Sequence, residues 1–161
     1  MTALIARPIS VETFAPFGRV YDLSGPASPD VKVMAGEGWT DSFTLRPLIE
    51  GSGHLGMTQG PTAPWSCRQM ERHPLTEEAL FCATAPIVLA VAPASDAPAP
   101  AANTLAAFIL RPGMVAVMNR GVWHDACRGL NGPTPYYWMA LCGLGNDPWV
   151  PVAGGPVEVR A

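Results

Sequence analysis

The chain has 161 residues, a net charge of -3 and a single lysine, Lys32, a length that favours one domain around one buried core, residues 1–161 taken together. An acidic chain with a sequence pI near 5.5 offers no basic face for a run of phosphates, so nucleic acid is not an expected partner. The N-terminus, Met1 to Pro8, carries no charged and apolar leader, and no uncharged apolar stretch approaches the roughly eighteen residues of a membrane span, so the expectation is a soluble cytoplasmic protein with no membrane partner.

Ser10 begins the first predicted element, a short helix in which its hydroxyl caps orphan amides and Glu12 stands in the first turn; Pro16 and Gly18 end it. Arg19 to Leu23 alternates as a strand does, and Ser24 to Pro29 has loop composition. Beyond Asp41 the apolar runs are short, and the chain's 18 prolines and 16 glycines leave no amphipathic pattern of helical length. Strands are predicted at Ser42 to Leu48, His54 to Thr58, Trp65 to Arg72, Leu80 to Cys82, Ile87 to Ala92, Ala106 to Leu110, Met114 to Met118 and Tyr136 to Leu141. Such a series predicts an all-β fold that closes or doubles its sheets to manage their edges. Pro93 to Asn103 reads as a surface loop, and the tail from Gly143 as an edge strand or loose chain.

Cys67, Cys82, Cys127 and Cys142 form no C-x-x-C pair and read as small buried apolar residues. With 48% hydrophobic and only 14% charged residues, polar cover is scarce, which predicts a buried interface between copies, a homodimer by default.

Two segments concentrate the chemistry: Glu71 to Glu78, and Pro112 to His124. Residues two apart on a strand point the same way, so Glu71 and His73 share a face. Glu78 returns after a turn at Pro74, and His124 comes from an opposing strand. Two imidazoles and two carboxylates, Glu71, His73, Glu78 and His124, suit one divalent ion such as Ni, Mn, Fe or Zn; no organic cofactor is expected. The plainer reading pairs Glu71 with Arg72 or Arg68 and leaves Glu77 and Glu78 in water.

Glu71-x-His73-x4-Glu78 followed by His124 resembles the two-part signature of the cupin barrel, with Glu71 where the first histidine stands. More narrowly, Phe14-x-Pro16-Phe17-Gly18, Met70-Glu71-Arg72-His73-Pro74 and Arg120-Gly121-Val122-Trp123-His124 are together similar to the ureidoglycolate lyase family. Val88 to Pro93 and Phe108-x4-Gly113 fit it too. The family pattern has Gln at 78, His at 119, His at 125, an aromatic at 80 and an acid near the end of the last long strand, where this chain has Glu78, Asn119, Asp125, Leu80 and no acid.

The resemblance implies a cupin-type jelly roll (a double-stranded β-helix) with a short N-terminal helix, and a lyase that splits ureidoglycolate, or a related small hydroxy or keto acid, into glyoxylate and urea in allantoin and purine breakdown. That reaction needs a base, an acid and a cation for the substrate carboxylate. It assigns His124 as base or acid with Glu78 or Asp125 as partner, and His73 beside them. Arg72 or Arg120 would grip the carboxylate, Trp123 would wall the mouth, and Asn119 would donate a hydrogen bond. Two other readings stand beside it: a metal-dependent cupin isomerase, hydratase or decarboxylase, motivated by Glu78, and a barrel that only binds a small acid.

Overall fold

The computed structural model describes residues 3–145 and 148–161. In chain order its elements are β1 (Leu4–Ile5), β2 (Arg7–Pro8), α1 (Val11–Phe14), β3 (Gly18–Asp22), β4 (Val31–Gly36), β5 (Trp39–Thr44), β6 (His54–Gly60), β7 (Trp65–Cys67), β8 (Gln69–Met70), β9 (Glu78–Cys82), β10 (Ile87–Ala92), β11 (Ala106–Leu110), β12 (Met114–Met118), β13 (Trp123–His124), β14 (Arg128–Gly129), β15 (Thr134–Ala140), β16 (Val150–Pro151) and β17 (Val157–Arg160). A 3-10 turn, Ala102–Thr104, interrupts the loop before β11.

Two sheets define the molecule. One has the order β3-β12-β9-β15-β6, every pair antiparallel. The other runs β13-β10-β11-β2, with β14 also on β10. Alternation along the strands fills the space between them. Leu80 and Cys82, Ala116 and Met118, and Tyr136 from the first sheet meet Ile87, Leu89, Val91, Phe108 and Leu110 from the second. At one end α1, capped by Ser10 through a 3.2 Å bond from the Thr13 amide, contributes Phe14. Its ring packs edge-on against Phe108 at 5.3 Å. The sheets lie face to face as a jelly roll, without closing into a continuous barrel.

Strand β10 is buried at all six positions because both its faces are covered. Val88, Ala90 and Ala92 pack into a second core with Cys67, Met70, Val152 and Val159. Here the tail differs from expectation: β17 lies between β1 and β7 as the central strand of a small sheet, with Val159 fully buried. The sequence reading also left out the hairpin β4–β5, which turns at Glu37-Gly38. The predicted strand from Ser42 to Leu48 ends at Thr44, and the one from Trp65 to Arg72 splits after Cys67. The other predicted strands recur within a few residues of their expected bounds, and Cys67, Cys82 and Cys127 are buried while Cys142 is exposed.

Candidate active site

Backbone pairing brings the two chemical segments together. Glu71 and His124 exchange hydrogen bonds, 3.0 Å from the Glu71 amide and 2.9 Å from the His124 amide, and the Gly121 amide donates to the His73 carbonyl at 3.0 Å. A turn closed by the Val122 amide on the Asn119 carbonyl, at 3.2 Å, puts Gly121 at a φ of 76°. Only glycine takes that conformation without strain, and it aims Trp123 and His124 back along β10.

The four acid and imidazole side chains converge, as the spacing allowed. Glu78 Oε2 lies 3.2 Å from His124 Nε2 and 3.3 Å from His73 Nε2, and Glu71 Oε1 is 3.7 Å from His124 Nε2. His124 Nδ1 is 3.2 Å from the Val122 carbonyl; a carbonyl only accepts, so Nδ1 is the donor. Nε2 then meets the carboxylates either as a lone pair facing lone pairs or as the N–H of an imidazolium. Burial works against charge on Glu78, yet the charges and hydrogen bonds of His124 and His73 outweigh it and hold the carboxyl down to about 2. Burial likewise opposes charge on His124, and Glu78 overcomes it, so the imidazole is raised.

A cation fits this arrangement on three counts. Donor atoms of Glu71, His73 and His124 all lie within 4.8 Å of one another. The Nδ1 contact fixes the tautomer that leaves Nε2 free to ligate. Glu78 Oε2 is buried beside them, 3.2 Å from His124 Nε2 and 3.3 Å from His73 Nε2, and adds negative charge to the cluster. These residues can hold a metal ion.

The cluster opens on a cavity of about 410 Å³ between the sheets, walled also by Thr58, Leu80, Tyr136, Trp138 and Trp149. Comparison with known proteins bears on what such a cavity is for. The sequence profile described as ureidoglycolate lyase matches residues 1–147. The chain belongs to the ureidoglycolate lyase family. Within that family it is similar to the ureidoglycolate lyase of Rhodobacter capsulatus, 30% identical over 152 residues, 91% of each chain. The ureidoglycolate lyase of Pseudomonas fluorescens Pf-5 is 27% identical over 155 residues, 91% of this chain and 89% of that one. Among solved structures, RmlC from Streptococcus suis in complex with dTDP-D-xylose overlays with a TM-score of 0.45 at 11% identity, covering 72% of this chain and 63% of that one.

For this member of the ureidoglycolate lyase family, the residues expected to bind substrate fall outside the cavity or turn away from it. Arg72 points outward from the segment after β8 that sends Glu71 and His73 inward; its guanidinium lies 4.3 Å over the Trp123 ring and donates to the Ser95 carbonyl. Trp123 is buried in the second core, so it is a support rather than a cavity wall. Arg120 pairs with Glu50 at 2.6 Å on the surface. Asp125 borders the cavity, but its carboxylate is taken by Trp65 Nε1 at 2.7 Å and the Ala126 amide at 2.8 Å. Asn119 borders a crevice beside the cluster too narrow for water. Among the described residues the cavity wall holds no arginine or lysine.

Neither neighbouring glutamate is simply wet. Glu77 is buried, accepting from Arg19 Nη1 at 2.7 Å and from the Glu50 amide at 3.1 Å, while Glu78 turns to the cavity. Thr58, Tyr136 and Trp138 went unrecognised in the sequence. The available signal was parity: β15 sends Tyr136 and Trp138 to the same side, facing Cys82 and Leu80 of β9.

Proposed function

We propose that the protein is a ureidoglycolate lyase, releasing glyoxylate and urea from ureidoglycolate. The observation that carries this reading is the convergence of Glu71, His73, Glu78 and His124 at the wall of a small cavity in a chain of that family. Ureidoglycolate is a carbinolamide, with hydroxyl and ureido nitrogen on one carbon beside a carboxylate. Its breakdown moves one proton and breaks one bond, with no water consumed. Glu78 Oε2, within reach of both imidazoles, receives the hydroxyl proton as C–O becomes C=O. The C–N electron pair leaves with nitrogen, and the proton is returned there to complete urea.

Glu71, His73 and His124 would hold a divalent ion, Ni, Mn, Fe or Zn; when bound it would supply positive charge for the substrate's carboxylate and hydroxyl oxygens. That charge matters because, among the described residues, no arginine lines the cavity. His73 and His124 orient the substrate's oxygens. A homodimer is proposed as well, supported by Leu55 and Met57, 64% and 58% exposed on the edge strand β6. A cytoplasmic setting accords with the lack, among the described residues, of any helix long and apolar enough to cross a membrane.

The test is product analysis of purified protein with ureidoglycolate, with and without chelator, against a protein-free blank. Glyoxylate and urea in equal amounts, above the blank and lost with the ion, are expected. Ammonia in place of urea, or no rate above the blank after divalent ions are restored, would overturn the reading.

A further inference from the structure

The cavity has a second polar pole. Tyr136 enters it from β15, and its hydroxyl accepts the Cys127 amide at 3.3 Å. Thr58, directly across on β6, hydrogen-bonds the same phenol. Both residues line the cavity that the acid and imidazole cluster opens on. Tyr136 pairs with Cys82, four residues along β9 from Glu78, so the phenol and the acid and imidazole cluster stand at separate places on one cavity wall.

A hydrogen count shows what this pole can offer. Two hydroxyls carry two hydrogens and four lone pairs. Their mutual bond uses one of each, and the Cys127 amide uses another lone pair. One donor and two acceptors remain for a ligand. Burial pushes the phenol's pKa up, so the donor persists at neutral pH. An amide or ureido group is complementary, since its carbonyl accepts and its N–H groups donate.

Gly56, opposite Trp138, lets the indole lie against β6; a Cβ there would sit 2.1 Å from Trp138 Cζ2. Trp138 and Trp149 thus add aromatic wall to a cavity whose other pole is charged.

We propose that Tyr136, paired with Thr58, is the specificity-determining contact for the ureido end of the substrate, while the Glu71, His73, Glu78 and His124 pole takes its acid end. This rests on the lyase reading and adds to it the means by which a ureido acid is told from a simple hydroxy acid.

The test separates the two ends. Calorimetric titration of metal-loaded wild type, Tyr136→Phe and Thr58→Val uses two probes: ureidoacetate, which is the substrate with hydrogen in place of its hydroxyl, and glycolate, which is the acid end alone. Tyr136→Phe keeps the ring and should raise the Kd of ureidoacetate about five- to tenfold, the worth of one neutral hydrogen bond, with glycolate changed less than about twofold; Thr58→Val should move it the same way by less. Equal weakening of both probes, or unchanged ureidoacetate binding in both variants, overturns the inference. Wild type that binds glycolate but prefers it to ureidoacetate overturns the inference alone. Wild type that binds neither overturns the lyase reading with it.

Discussion

The inward and outward faces of the same two segments make the most instructive comparison in the molecule. Glu71, His73 and His124 face the cavity, whereas Arg72 and Trp123, their immediate neighbours in sequence, face the second core and the surface beyond it. The inward face holds carboxylates and imidazoles at 3.2 to 3.7 Å; the outward face stacks a guanidinium on an indole. Strand alternation therefore divides one contiguous motif between chemistry and support. An arginine beside an inward-facing histidine is, for that reason, a poor choice for gripping the same substrate.

The largest expected break in this comparison is on the inward face. His73→Ala should lower divalent-ion affinity by at least about a hundredfold, read by metal analysis after dialysis, while Arg72→Ala leaves the ion in place. Equal retention by both variants would erase the distinction.

Acid should separate the faces next. Glu78 is lowered from an ordinary value near 4.5 to about 2 in the folded protein. A lowered carboxyl contributes stability that is present above its unfolded value and lost as pH falls through the folded one. In chelated protein that contribution should fade between about pH 4.5 and about 2. His124, raised in the fold, adds stability that is present below its unfolded value near 6.5 and lost as pH rises through the folded one. Thermal unfolding of wild type and Glu78→Gln should converge at the acid end. Curves parallel throughout would show that the pair is not coupled to folding.

On the outward face the effects are on stability. Arg72→Ala removes a ring contact and a hydrogen bond to the Ser95 carbonyl, a loss of about 1–2 kcal/mol by denaturant unfolding. A cost near zero would mean that Trp123 holds its place without the arginine. Arg120→Ala breaks only an exposed pair with Glu50 and should cost no more than about 0.5 kcal/mol. A larger cost would make that pair part of the site's support.

Much of this was legible from sequence where a physical pattern was complete. Ile87–Ala92, Ala106–Leu110 and Met114–Met118 are apolar runs between breakers, and the strands fall on the predicted bounds. Strand parity put Glu71 and His73 on one face, and the turn at Pro74 and an opposing strand allowed Glu78 and His124 to join them, an arrangement the side-chain distances match. The hairpin β4–β5 was not, since Met34, Trp39 and Phe43 are exposed and give no sign of a buried face. Tyr136 and Thr58 resemble any strand residues until β6 and the Cys127 amide close around them. That closure is long-range pairing, which local composition does not encode.

The most direct test is to compare kcat for ureidoglycolate in His124→Ala and Arg72→Ala, both shown to be folded. The expected result is a loss of at least about a hundredfold in the first, the scale of removing an imidazole that holds the ion and orients the substrate's oxygens, and a change of less than about threefold in the second. Loss of turnover in Arg72→Ala with activity kept in His124→Ala would contradict the assignment of chemistry to the inward face.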